Sequence, residues 1–331
     1  MWRGRTGRPV AIDRYCPHHG ADLALGGVQG GELRCVFHGW RFNEQGTCVA
    51  VPGETRIPGS AHRRLRRVEE RYGLVWLWSG TDTPLFPLPS VPELDGTAPG
   101  TAAGIYRFSY RQNLYNTPVS RTLENGVDTV HFSELHRRAF KSIDVTVLEE
   151  PCWDADDPRR PAHADVGAWF GDVLEFELKQ HDLIRRAARA LGAPLGSIRI
   201  VMDHWPSGAV IRVFSDGRLR NTVVGTASPY GQGSGSGYGI SITPRYGARV
   251  RDLTSHILMS SANRRAERED RRVWRTLGTS YDGVLVKSDA PIMAYRRWYA
   301  GWVKSSLDTP SSRRRKTPTV GAQHEPQPHD R

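Results

Sequence analysis

A chain of 331 residues is long enough to bury the cores of two domains. Lys and Arg exceed Asp and Glu by a formal +11, much of it clustered: Arg63, Arg64, Arg66 and Arg67, then Arg264, Arg265, Arg268, Arg271 and Arg272, then Arg313 to Lys316. Such clusters can mark a nucleic-acid face, a solvated surface, or a docking face that steers an acidic electron donor; the solvated surface is the plainest reading and no nucleic-acid partner is expected. No segment is apolar for long enough to span a bilayer, and none has the form of a signal peptide, so a soluble, cytoplasmic protein with no membrane partner is expected.

Pro9 to Ile12 reads as a strand after the turn Gly7-Arg8-Pro9, so the chain opens on a hairpin. Two matched loops follow: Cys16-x-His18, sixteen residues, then Cys35-x2-His38. Zinc fingers pair cysteine with cysteine and histidine with histidine, whereas each pair here is mixed, which fits zinc poorly. Chance burial of Cys and His does not account for two matched pairs. A Rieske [2Fe–2S] centre needs this pattern, because histidines replace two of the thiolates. Cys48 suits a small buried hydrophobe, and the four cysteines together suit metal binding better than a disulfide frame.

These loops, with Arg41-Phe42-Asn43, Gly46-Thr47-Cys48, Pro52 and the strand-like Tyr72 to Trp78, resemble the Rieske domain of Rieske non-haem iron oxygenases (oxygenase component). The resemblance implies that Cys16 and Cys35 hold one iron and His18 and His38 the other, with His19 a loop residue. Members of the family usually carry several dozen residues ahead of the Met1-Trp2-Arg3 position, so an N-terminal truncation is the expectation here. Domain bounds are expected at 1–83 for the Rieske domain, 84–100 for a Pro-rich connector, 101–304 for a catalytic domain and 305–331 for a disordered basic tail.

The run Glu124 to His136 sets two histidines among the apolar Val127, Val130, Phe132 and Leu135. If the apolar set packs inward, the imidazoles go with it and need a metal or a hydrogen-bond partner; the bland alternative is two solvent-facing histidines. Residues five apart on an α-helix are about 140° apart, too far to share one metal, so the helix must end, kink or take a π-type turn between His131 and His136. Two histidines are half of a 2-His-1-carboxylate site for mononuclear Fe(II), which also needs a carboxylate. Leu253 to Leu277 reads as a long helix whose face Met259, Ala262, Ala266, Asp270, Val273, Leu277 bears a single charge. A lone carboxylate on an apolar face asks for a cation, so Asp270 is the expected third ligand, with Glu267 and Asp289 its competitors. Alternatively, Asp270 pairs with Arg271 or Arg275 on a helix polar all round.

Asn125-x2-Asp128-x2-His131-x4-His136 resembles the mononuclear-iron motif of the same family. The segment from Asp270-x2-Val273-Trp274 through Tyr295-Arg296-Arg297-Trp298-Tyr299 is similar to the 3-ketosteroid 9α-hydroxylase and cholesterol-desaturase subgroup. The resemblance implies an α+β protein, a small antiparallel β Rieske domain followed by a helix-grip, START-like domain with an antiparallel sheet. It implies a monooxygenase that uses O2 and electrons from a ferredoxin or flavin reductase to hydroxylate a lipophilic polycyclic substrate. Desaturation or oxidative demethylation by the same iron is the near alternative, and a non-catalytic Rieske electron carrier the more distant one. Asp128 is expected to bridge His131 to a cluster histidine across a subunit boundary, which implies a homotrimer.

Between Val145 and Thr243 lie six strand-like runs separated by turns, which suit an antiparallel sheet with one face on a cavity. A short basic helix is expected at 179–191, and the Gly-rich run 231–237 lacks the Lys and Ser/Thr of a phosphate loop.

Overall fold

A computed structural model describes residues 1–81, 83–98, 101, 103–114, 118–136, 140–178, 197–229, 235–278 and 283–307. The basic helix expected at 179–191, most of the Gly-rich run and the tail from 308 lie outside the described residues.

Nine short strands make the N-terminal part: β1 (Trp2–Arg3), β2 (Pro9–Ile12), β3 (Gly27–Gln29), β4 (Glu32–Arg34), β5 (Arg41–Phe42), β6 (Cys48–Ala50), β7 (Leu65–Arg66), β8 (Val68–Arg71) and β9 (Leu74–Leu77). They form antiparallel sheets in the orders β1-β2-β7, β3-β4-β5-β6 and β8-β9. Trp2, Val10, Leu33, Phe42 and Cys48 are buried together with Cys16 and Cys35, so one small core both folds this part and seats the paired loops. Such strands bury little surface each, and the loops between them carry much of the shape.

The connector is more ordered than its prolines suggest. Pro92 starts a one-turn helix, α1 (Pro92–Asp95), and Gly96 closes it at φ 75°, a conformation glycine adopts without strain. Glu93 of this turn is buried against the following sheet, where Arg212 donates to it through Nε at 2.6 Å and Nη2 at 3.3 Å. Arg212 also donates to Asp203 at 2.9 Å, and Thr222 donates to Glu93 at 3.1 Å. On the Rieske side the Tyr72 hydroxyl donates to Asp95 at 2.9 Å and accepts from the Val91 amide at 2.8 Å. The connector is therefore a clasp between the two parts, held by buried ion pairs that periodicity cannot reveal.

The second part is one seven-stranded antiparallel sheet: β10 (Ile105–Leu114), β11 (Phe140–Leu148), β12 (Phe170–Leu178), β13 (Ser197–Trp205), β14 (Gly208–Ser215), β15 (Arg218–Pro229) and β16 (Gly235–Pro244). Its order is β10-β16-β15-β14-β13-β12-β11. Six of these strands contain the six runs read from sequence and extend them; β10 is additional. Its alternating aromatics Tyr106, Phe108 and Tyr110 are the period-two signal that marks it.

Among the described residues, four helices dress this sheet. The short α2 (Val119–Leu123) and α3 (Thr129–Glu134) carry the polar run, separated by a 3-10 turn at Glu124–Val127. The long α4 (Arg249–Trp274) lies across β16, β10 and β15 and grips the sheet. It begins before and ends before the span read from periodicity. The last, α5 (Ala290–Leu307), continues past residue 304, so the first positions of the expected tail are helical.

Candidate metal centres and cavity

The two Cys/His loops share one backbone plan. In each, the cysteine amide donates to the carbonyl five residues on (Ala21 at 2.8 Å, Trp40 at 2.8 Å) and the glycine four residues on donates back to the cysteine carbonyl (3.0 and 3.1 Å). Gly20 and Gly39 both stand at φ 72°, the left-handed turn that a side chain would strain. The plan buries Cys16 and Cys35 side by side and leaves His18 and His38 outside, with ring centroids 4.7 Å apart. Burial pushes the Cys16 thiol up, and the adjacent Cys35 raises it further. Cysteine binds metal as the thiolate, and an iron beside the two sulfurs would stabilise that form. The donor set is two inner sulfurs and two outer imidazoles, which fits a cluster with one iron on each pair. His19 is exposed and packs at 4.2 Å from the His18 ring and 5.4 Å from the His38 ring.

In the second part, α3 ends at Glu134, and the His136 amide reaches the His131 carbonyl five residues back at 3.4 Å. This π-type closure gives the break that the five-residue spacing demands. It turns both rings to the same side, 5.4 Å apart. Asp270 arrives from α4: its Oδ1 lies 3.2 Å from His136 Nε2 and 4.0 Å from His131 Nε2. Ligand atoms of His131, His136 and Asp270 all fall within 4.8 Å of one another. Asp270 Oδ1 is buried without a hydrogen-bond partner, a costly state that a cation at the centre of the three would relieve. Of the competitors, Glu267 is ion-paired with Arg271 at 3.3 Å, and Asp289 caps a turn by accepting from the Val286 amide at 2.8 Å.

Each imidazole is oriented from behind. His131 Nδ1 donates to the Asp128 carbonyl at 2.5 Å, and His136 Nδ1 donates to Glu269 at 2.7 Å. Both Nε2 atoms then face the shared point. Burial holds His131 below its ordinary range in spite of Asp270 and Asp128. On His136, burial opposes charge, but the neighbouring Asp270 and Glu269 carboxylates together raise its pKa. The Asp128 carboxylate itself is 3.8 Å from His131 Nδ1, and its Oδ1 caps α3 by accepting from the Val130 and His131 amides. Asn125 Nδ2 is 3.3 Å from His131 Nε2, at the edge of the same point. Glu269 escaped sequence reasoning because its partner is 133 positions away.

A cavity of about 1030 Å³ opens from His131, His136 and Asp270 along α4 and the inner face of the sheet. Its wall is mainly aliphatic and aromatic, with Leu123, Phe132, Ile200, Met202, Val223 and Trp274 among the lining residues. Of the predicted helical face, Met259, Ala262, Ala266 and Asp270 line it; Val273 is instead exposed and Trp274 takes its place. Polar side chains also line the wall, among them Tyr110, Thr122, Tyr238, His204 and Asn263. Burial, then the charges of Glu267 and Asp270, push the Tyr110 hydroxyl up to about 12, so it stays a donor at neutral pH.

Residues 1–63 match the family model of the Rieske [2Fe-2S] domain. Aminopyrrolnitrin oxygenase PrnD of Pseudomonas fluorescens is 30% identical over 310 residues, 91% of this chain and 83% of that protein. The chain belongs to the Rieske oxygenase family. Cholesterol 7-desaturase nvd of Xenopus laevis is similar to this oxygenase at 26% identity over 309 residues, 91% of this chain and 64% of that one. Dicamba monooxygenase bound to 3,6-dichlorosalicylic acid has the same fold, with a TM-score of 0.65 at 17% identity, covering 92% of this chain and 90% of that one. The oxygenase is thus an oxidoreductase whose Rieske domain implies a [2Fe-2S] cluster. Among its described residues no helix is long and apolar enough to cross a membrane.

Proposed function

We propose that this oxygenase hydroxylates a lipophilic, ring-containing small molecule, with O2 as oxidant and a ferredoxin or flavin reductase as electron donor. The observation that carries the reading is the convergence of His131 Nε2, His136 Nε2 and Asp270 Oδ1 at the head of an apolar cavity. Those three residues would hold a mononuclear Fe(II), and Cys16, His18, Cys35 and His38 would hold the cluster. The iron would supply activation of O2 and the cluster its electrons, and three protein ligands leave positions open for that chemistry.

The chain's own residues do the rest. The Asp128 carbonyl and Glu269 fix the two imidazoles so that only Nε2 faces inward. Asp270 completes the face with one buried negative charge. The aliphatic wall excludes water and binds substrate through apolar area, at about 25 cal/mol per Å² buried. Asp128, whose side chain is one-third exposed beside His131, faces a cluster histidine of a neighbouring protomer in a homotrimer.

Desaturation by the same site is the second reading, favoured by the similarity to a protein named cholesterol 7-desaturase. Iron analysis separates enzyme from carrier: about three irons per chain are expected for the enzyme and about two for a cluster-only carrier. The companion assay feeds aromatic and sterol compounds with a surrogate reductase. Two irons, a normal reduced-cluster EPR signal and no O2-dependent product would sink the proposal.

A further inference from the structure

Asn263 sits on the cavity wall between Ala262 and Ala266, on the face of α4 that carries Asp270. Its side-chain amide is held by a buried network behind it. Asn263 Nδ2 donates to Asn221 Oδ1 at 2.8 Å and to Ser241 Oγ at 3.1 Å. Asn221 and Ser241 are fully buried.

The orientation of both amides follows from one backbone contact. Asn221 Nδ2 lies 2.8 Å from the Ile242 carbonyl and 3.0 Å from Ser241 Oγ. A flipped Asn221 would set two carbonyl oxygens against each other, so Asn221 must present its amino group there. Its Oδ1 is then an acceptor, and Asn263 must answer with its own amino group. Both N–H bonds of Asn263 are used, and its Oδ1 is the one group of that amide left open.

We infer that Asn263 is a specificity-determining residue whose Oδ1 accepts a hydrogen bond from a substrate N–H or O–H at a point on the cavity wall two turns of α4 from Asp270. Asn263 and Asp270 are seven residues apart on one helix, two turns and about 10 Å along the axis. The substrate class is a rigid aromatic or polycyclic compound with a donor about 10 Å from the oxidised position. A compound whose only polar groups are acceptors, such as an ether, leaves Asn263 Oδ1 dehydrated and unpaired, which a network this rigid cannot relieve by turning. The inference rests on the substrate cavity of the function proposed above.

The test reads binding, so it does not depend on turnover. Iron-loaded full-length protein is titrated anaerobically by calorimetry with 4-phenylphenol and with 4-methylbiphenyl, which have the same shape with and without a donor. The wild type should bind the phenol about tenfold more tightly, the scale of one neutral hydrogen bond. Asn263→Leu should abolish that preference by weakening the phenol while leaving 4-methylbiphenyl as tight or tighter. Asn263→Ala, which adds no bulk, should do the same. No preference in the wild type, or an unchanged preference in both variants, overturns the inference. Loss of both probes in both variants with iron retained also overturns it, because Asn263 then shapes the cavity and does not select the donor. Failure of the proposed oxygenation would appear separately, as a missing iron or product with these affinities intact.

Discussion

At the scale of single residues, the face proposed to hold iron, His131, His136 and Asp270, is organised by groups outside it. Glu269 is the clearest: adjacent to Asp270 in sequence, it turns back to hold His136 Nδ1 at 2.7 Å while Arg265 holds its other oxygen at 3.1 Å. One helix thus supplies one of the three proposed ligands and the support of another. Glu269→Ala should weaken iron binding at the mononuclear site by about 10–100-fold, the usual cost of losing such a support. Competition with a chelator measures it, with the cluster absorbance as internal control; unchanged iron retention would mean that Glu269 is only a surface pair of Arg265. Asp270 itself could be singled out from sequence because an unpaired charge on an apolar stripe is anomalous. Glu269 could not, because a carboxylate among arginines looks like solvated surface until its partner is seen.

At the scale of elements, α3 is set by two constraints. Asp128 caps its start through Oδ1, and the π-type closure at His136 ends it after six residues. Gly126, just before the cap, lies under His204: an added Cβ would come within 2.9 Å of that ring and 3.2 Å of Met202 Sδ. The run must therefore lie close against β13, which aims its histidines at α4. Because the Asp128 side chain both caps α3 and carries the charge proposed to bridge subunits, two substitutions separate the roles. Asp128→Asn keeps a cap of similar strength and should hold both metals yet lose nearly all turnover. Asp128→Ala should lose turnover too and cost about 1 kcal/mol of stability in addition. Normal product formation by the asparagine variant would remove the bridging role. Six of the strands show in the sequence as apolar runs, and β10 shows only in the alternation of Tyr106, Phe108 and Tyr110.

At the scale of the molecule, the clasp through α1 decides how the Rieske part is joined to the sheet. Arg212, Glu93 and Asp203 are almost wholly buried, and two tryptophans, Trp153 and Trp169, donate to Asp203 at 3.1 and 2.9 Å. Burial pushes the Asp203 carboxyl up, with Arg212 the main opposing influence. A buried guanidinium stripped of one carboxylate is expensive, so Glu93→Ala should destabilise by about 3–5 kcal/mol. Urea unfolding followed by tryptophan fluorescence would check this. A change below about 1 kcal/mol would mean that water enters to replace the lost partner.

The chain by itself determined the chemistry: two mixed Cys/His loops, two histidines on a run that cannot remain one helix, and a carboxylate out of place on an apolar face. These are local signals, because spacing and turn chemistry act over a few residues. The tertiary structure decided what depends on distant pairs. It brought Glu269 behind His136, turned a proline-rich connector into a buried clasp, and lined up Asn221, Ser241 and Asn263 so that one amide is fixed on the cavity wall. Those contacts join positions far apart in the chain, and their energies exist only once burial removes water from between them.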